Sequence, residues 1–154
     1  MEEAEKAFVR ALGFLARRDH SEAELVRKLR EKGISAGVIA EVVQRLKDLR
    51  YLDDRRFAEQ WAQSAVKSGR GYGPRLRQEL SQRGVAREII TEVLAGIAAE
   101  HDETETLTAL IARKFAGFDP MAASDREKRR LFNYLQRRGF STAVILAYFH
   151  IYKQ

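Results

Sequence analysis

No cysteine occurs in the 154-residue chain. That absence removes disulfides, thiolate metal sites and cysteine nucleophiles together, and it fits a reducing compartment. Proline is nearly as scarce, with Pro74 and Pro120 alone, and no run of alternating β-branched residues is long enough for a sheet, so helix is the default. No apolar run approaches the roughly 18 residues that a membrane span needs. Met1 to Lys6 is acidic and lacks an apolar stretch behind a basic one, so no secretory leader is expected and the cytoplasm is the expected location. His20, His101 and His150 have no partners at metal-ligand spacing, so neither a metal nor a cofactor is expected.

What is present is a mixture of 45% hydrophobic and 32% charged residues, enough to bury a core beneath a heavily solvated surface. Lys and Arg number 28 against 22 Asp and Glu, a net charge of +6. The excess is uneven. Residues 1–54 hold eleven basic and eleven acidic side chains, 55–102 eight and six, and 103–154 nine and five. A basic excess of this kind is an electrostatic footprint for polyanions, and it lies in the last two thirds of the chain.

Self-comparison exposes a repeat. Leu25, Leu29, Gly33 and Ile34 match Leu76, Leu80, Gly84 and Val85, and again Leu131, Leu135, Gly139 and Phe140. Past each glycine the apolar pairs recur in step: Val38 and Ile39, Ile89 and Ile90, Val144 and Ile145; then Val42 and Val43, Val93 and Leu94, Tyr148 and Phe149; then Leu46, Ile97 and Tyr152. That spacing is one apolar face of an α-helix. Each glycine falls where a left-handed residue ends a helix cheaply, and each follows a cation, Lys32, Arg83 or Arg138, suited to the negative end of the helix dipole. Ser21 with Glu24 and Ser124 with Glu127 read as capping boxes, and Pro74 after Gly73 as a first helical residue.

A further amphipathic stretch precedes each of these pairs of helices. It is marked by Phe8, Leu12 and Leu15, by Phe57, Trp61 and Ala65, and by Leu107, Ile111 and Phe115. The expected fold is all-α, three tandem three-helix repeats of helix-turn-helix type over 1–52, 53–101 and 102–154, forming an elongated, curved array. The helices are placed at 3–17, 21–32, 36–50, 54–68, 74–83, 86–100, 103–116, 125–138 and 141–152. Phe57, Trp61, Phe132, Tyr134, Tyr148 and Phe149 stand at helical spacing on apolar faces and are expected to pack in the core.

Candidate chemistry is sparse. Asp19, His20 and Ser21 carry the letters of a hydrolase triad, but consecutive side chains on a capping turn cannot line up as nucleophile, base and orienter. Asp53 and Asp54 precede a helix and read as caps. The glycines of Ser68-Gly69-Arg70-Gly71-Tyr72-Gly73 have no upstream strand and no Lys-Ser/Thr behind them, which argues against a nucleotide loop. No catalytic residue is expected, and the chain is not expected to be an enzyme.

Two basic clusters remain. Lys67, Arg70, Arg75, Arg77, Arg83 and Arg87 face the single acid Glu79 over residues 67–87, with Tyr72 among them. Arginines attract phosphates and a tyrosine can stack on an unpaired base. Arg126, Lys128, Arg129, Arg130, Arg137 and Arg138 again face one acid, Glu127. With so few acids for i,i+4 pairing, these read as contact surfaces rather than ordinary solvated helix faces.

The run Tyr51-Leu52-Asp53-Asp54-Arg55-Arg56-Phe57-Ala58, then Gly71-Tyr72-Gly73-Pro74, Leu76-Arg77-Gln78-Glu79-Leu80 and Arg83-Gly84-Val85, resembles the signature of the RecX family of recombination regulators. The first repeat adds Arg18-Asp19-His20-Ser21-Glu22-Ala23-Glu24-Leu25 and Lys28-Leu29, also similar to that family. The resemblance implies a partner that composition alone does not name. That partner is the RecA recombinase polymerised on single-stranded DNA, whose filament, ATPase and co-protease activity such proteins modulate, mostly by inhibition. It also implies direct binding to single-stranded DNA, with duplex DNA a further candidate. The chain is expected to be a monomer with no membrane partner. The positions to which contact with RecA or DNA is assigned are Lys67, Arg70, Tyr72, Arg75, Arg77, Arg83, Arg126, Arg129, Arg130 and Arg137.

Beside a generic helical-repeat scaffold for other proteins, the rival reading is a helix-turn-helix transcriptional regulator. It would need a recognition helix rich in base-reading side chains, yet the third helix of each unit is dominated by apolar residues, Val38 to Leu46, Ile89 to Ile97 and Val144 to Tyr152.

Overall fold

The computed structural model describes residues 2–151. Over that span the chain is helical with no strand: α1 (Glu2–Arg17), α2 (Glu22–Glu31), α3 (Ala36–Asp48), α4 (Asp54–Ser68), α5 (Pro74–Gln82), α6 (Arg87–Glu100), α7 (Glu103–Lys114), α8 (Asp125–Arg137) and α9 (Thr142–Ile151). The expected helices are all present, their ends shifted by at most two residues. The expectation for Tyr152 lies outside the described residues.

The starts and stops follow local chemistry. At Ser21 both halves of the capping box form: the hydroxyl accepts from the Glu24 amide at 3.1 Å, and the Ser21 amide donates to the Glu24 carboxylate at 3.1 Å. At Ser124 only the forward half forms. The Glu127 amide donates to the Ser124 hydroxyl, and that hydroxyl, not the backbone N–H, donates to the Glu127 carboxylate. Asp53 caps α4 by accepting from the Arg55 and Arg56 amides. Asp54 does something different from capping its own helix. It accepts from the Glu22 amide at 2.8 Å and so satisfies the first turn of α2.

Gly33, Gly84 and Gly139 take φ of 82°, 82° and 103°. Each closes the same six-residue turn: Ile34 to Leu29, Val85 to Leu80 and Phe140 to Leu135, amide to carbonyl. The end of α3 uses the same turn with an arginine in the glycine's place. Arg50 sits at φ 62° and the Tyr51 amide reaches the Leu46 carbonyl, which is why this helix stops at Asp48 rather than Arg50.

By packing, the described chain divides into two compact units, one of residues 2–60 with 80–90, the other of 61–79 with 91–151. The first is built on Ala7, Phe8 and Ala11 of α1, Leu25 and Leu29 of α2, and Ile39, Val42, Val43 and Leu46 of α3, closed by Leu52. In the second, α9 packs on α7 and α8. Its buried side chains include Leu76, Leu107, Leu110, Ile111, Leu131, Leu135, Phe140 and Ile145. Of the aromatics expected in the core, Phe57 is buried, while Trp61, Phe132, Tyr134, Tyr148 and Phe149 are half-buried.

Candidate nucleic-acid interface

The two basic clusters, alike in sequence, are placed in different situations. In the cluster over 67–87 most side chains are committed to the protein itself. Tyr72 is 8% exposed. Its ring stacks on Phe140 with centroids 5.5 Å apart and planes at 6°, and its hydroxyl donates to the His101 carbonyl at 2.6 Å. Burial raises its pKa, helped by the charges of Glu103 and Asp102. The expectation that Tyr72 stacks on an unpaired base is therefore corrected. An apolar ring flanked by glycines is satisfied from within its own unit.

Arg70 is half-buried, its guanidinium 4.7 Å from the centroid of the Trp61 ring. Arg75 gives its Nε to Glu79 at 3.1 Å and an η-nitrogen to the Arg137 carbonyl at 3.1 Å. Glu79 also accepts from the Trp61 indole at 2.9 Å. Lys67 and Arg77 are exposed, Arg77 donating to the Thr91 hydroxyl.

Arg83 belongs to a polar node in the first unit. It donates to Glu24 at 2.7 Å, Arg18 approaches the same carboxylate at 3.4 Å, and the Ser21 hydroxyl donates to the Arg83 carbonyl. Glu24 is 4% exposed. Burial pushes its carboxyl up, but hydrogen bonds from the Ser21 backbone, Arg83 and Arg18 outweigh that and hold it below the usual carboxylate range. His20, 3% exposed, lies beside this node with Nδ1 at 3.0 Å from the Arg18 carbonyl and Nε2 at 2.9 Å from the Lys28 ammonium. Burial is the main cause of its lowered pKa, with the cations Arg18 and Lys28 adding to it. Ser21 thus serves a helix start and His20 its buried polar support, while Asp19 stands exposed beside them.

The second cluster is open. Asp125 and Glu127 occupy the first turn of α8 and Arg137 the last, a polarity that suits the dipole, and Leu131 and Leu135 fix its inner face. At 100° per residue Arg126, Arg130, Asn133 and Arg137 fall on the opposite side, with Arg129 beside them. Arg126, Arg129, Arg130 and Arg137 are all exposed. Among the described residues, no carboxylate lies within ion-pairing distance of these four guanidiniums. Lys128, on the inner side, is half-buried.

A third feature went unread in the sequence. Tyr134 of α8 lies with the Lys114 ammonium 5.1 Å and the Arg138 guanidinium 4.9 Å from its ring centroid, and Phe115 meets it edge-on at 5.0 Å. Burial raises the phenol's pKa, but the two cations beside the hydroxyl outweigh this and lower it. The Arg138 half of the arrangement is visible as an i,i+4 pair, whereas Lys114 comes from another helix and leaves no local signal.

Three family models match the chain, and they describe the first, second and third three-helix domains of RecX, over residues 7–46, 53–94 and 101–149. The chain belongs to the RecX family. A regulatory protein RecX of Syntrophotalea carbinolica is 38% identical over 143 residues, 93% of this chain and 94% of the relative. One of Trichlorobacter lovleyi is 41% identical over 138 residues, 90% of each. The fold is also that of a crystal structure of RecX from Lactobacillus salivarius, with TM-score 0.77 at 19% identity over 97% of this chain and 96% of that one. In RecX terms the open arginine face of α8 belongs to the third three-helix domain. Among the described residues no helix is long and apolar enough to cross a membrane.

Proposed function

We propose that this chain regulates RecA-type recombinase filaments on single-stranded DNA, mostly by inhibition, and that it holds the nucleic acid through the exposed face of α8. The observation that carries the reading is the row of Arg126, Arg129, Arg130 and Arg137, solvent-exposed and, among the described residues, with no carboxylate within ion-pairing distance. Leaving four guanidiniums unpaired on one face costs self-repulsion, and a polyanion relieves it while releasing its own counterions. Lys67 and Arg77 are secondary contacts, to phosphate or to acidic side chains of the recombinase. Arg70, Arg75 and Arg83 act by holding the scaffold. Each three-helix domain supplies a modest contact, and several domains on one chain bind together more tightly than any one alone. Family membership supports a regulator rather than an enzyme, acting in the cytoplasm where such filaments form.

The test is the single-stranded-DNA-dependent ATPase of a RecA recombinase titrated with this protein. Inhibition is expected at less than one copy per recombinase subunit, and Arg126→Glu with Arg130→Glu should lose it while melting like the parent. Full inhibition by that double variant would move the contact away from α8. An ATPase unaffected at every ratio would remove the reading altogether.

A further inference from the structure

We propose that Lys114, Tyr134 and Arg138 form a clasp for one phosphate of a nucleic-acid backbone, at the end of the α8 face. The inference rests on the reading of α8 as a nucleic-acid surface and gives that surface a defined seat. Arg126, Arg130, Tyr134 and Arg138 stand four residues apart, so they form one continuous ridge along the helix. The ridge runs about 18 Å at 1.5 Å per residue. That length takes several phosphates of a strand, spaced about 3.4 Å or more along its axis.

The aromatic in this ridge is not a free stacking platform. Two cations lie over or beside its ring, at 5.1 and 4.9 Å from the centroid, and Phe115 fills its edge. What remains is the hydroxyl, a neutral donor between an ammonium and a guanidinium. Among the described residues no carboxylate lies within ion-pairing distance of Lys114 or Arg138. Two like charges are thus gathered at one oxygen without a counterion. A phosphate oxyanion at that point accepts from the phenol, neutralises both cations and leaves the Arg138 fork free for a second oxygen. A carboxylate offers fewer acceptor oxygens for three donors, and a base would have to displace a cation from the ring.

The experiment is fluorescence anisotropy of an oligothymidylate, without a 5′-phosphate, across a range of salt concentrations. Lys114→Gln should lower the slope of log affinity against log salt by about 0.7, the contribution of one phosphate contact on a single strand. Tyr134→Phe keeps the ring and its packing; it should lose roughly three- to tenfold in affinity, about one hydrogen bond's worth, at an unchanged slope. Arg27→Gln, an exposed position in the other unit, is the control for loss of charge alone. Parental slope and affinity in the Lys114 and Tyr134 variants, with binding still weakened by Arg126→Gln and Arg130→Gln, would overturn the clasp and leave the α8 surface standing. No loss in any of the four would overturn both. If a free 5′-mononucleotide displaces the oligonucleotide from the parent at equal concentration, the seat takes a terminal phosphate, and the backbone assignment is wrong.

Discussion

Alanine at the three turn glycines should cost very different amounts of stability, although the repeat makes the positions equivalent. Gly33 has φ 82° with nothing within 4 Å of an added Cβ, so Gly33→Ala meets backbone strain alone, about 1–2 kcal/mol. At Gly84 the same strain is joined by collision with the Ala23 side chain of α2, and overpacking of that kind adds about 1–3 kcal/mol. At Gly139 the new Cβ would fall onto the Tyr72 carbonyl and crowd the Arg75 backbone. Relief there requires moving the 72–75 segment. That movement also breaks the hydrogen bond from the Tyr72 amide to the Arg138 carbonyl, 2.8 Å long, and the Tyr72–Phe140 stack. Strain, collision, one hydrogen bond and one aromatic pair together come to about 3–8 kcal/mol, comparable with the whole stability of a small domain. Urea melts should therefore rank the losses Gly139→Ala, then Gly84→Ala, then Gly33→Ala. The neighbouring cations sharpen the comparison. Lys32→Ala should remove a dipole interaction of about 0.3–1 kcal/mol. Arg83→Ala strips a charged hydrogen bond from buried Glu24 and should cost about 1.5–3 kcal/mol, close to its glycine neighbour. Equal losses at all three glycines would show that the close approaches at Gly84 and Gly139 relax freely, and the reasoning would fail.

Three further outcomes follow from the same contacts. The Glu24 carboxyl is depressed in the folded state, so its stabilisation is present above the ordinary carboxyl value of about 4.3 and is lost as pH falls through the folded value; the acid side of the stability curve should be steeper for the parent than for Glu24→Gln, and parallel curves would refute this. His20 is held neutral, so its imidazole should titrate below about 6.5 by NMR, and stability linked to it should be present above that value and fall as pH drops through the folded pKa. Arg75→Glu, which sets a carboxylate against Glu79 and frees the Arg137 carbonyl, should lower the unfolding free energy from urea melts by about 0.5–3 kcal/mol, whereas exposed Arg77→Glu should stay within about 0.5 kcal/mol.

The fold was legible because its determinants are local. An apolar face at helical period, a glycine at a helix end and a serine three residues ahead of a glutamate each act within one or two turns, and nine helices placed from them recur within two residues of their expected ends among the described residues. The exceptions were non-local or concealed. Asp54 serves the α2 amide of Glu22, 32 residues away, and no capping rule reaches that far. The α3 terminus falls two residues short of the expected end because the left-handed position is held by Arg50, a residue whose type does not advertise the turn.

Which of the candidate cations stand exposed and unpaired was legible only in part, and the part that was not has one cause. Counting acids within a sequence window made the clusters over 67–87 and 126–138 look alike, one acid against six cations in each. What decides whether a cation is available is the acceptors near it in space. For Arg83 the acceptor is Glu24, 59 residues away, and for Arg75 it is both Glu79 and the Arg137 carbonyl, 62 residues away. Glycines and arginines surround Tyr72 in sequence and give it the look of a surface aromatic, but glycines also let a chain approach closely, and here they allow Tyr72 to lie against Phe140. The α8 cluster escapes this cancellation for a reason that is itself sequential. Its inner face is already occupied by Leu131 and Leu135, and the helical period turns Arg126, Arg130 and Arg137 away from every acceptor that burial could have supplied. A basic run on a strongly amphipathic helix is thus a better sign of a free surface than a basic run through a glycine-rich turn, because the helix fixes which way its side chains point and the turn does not.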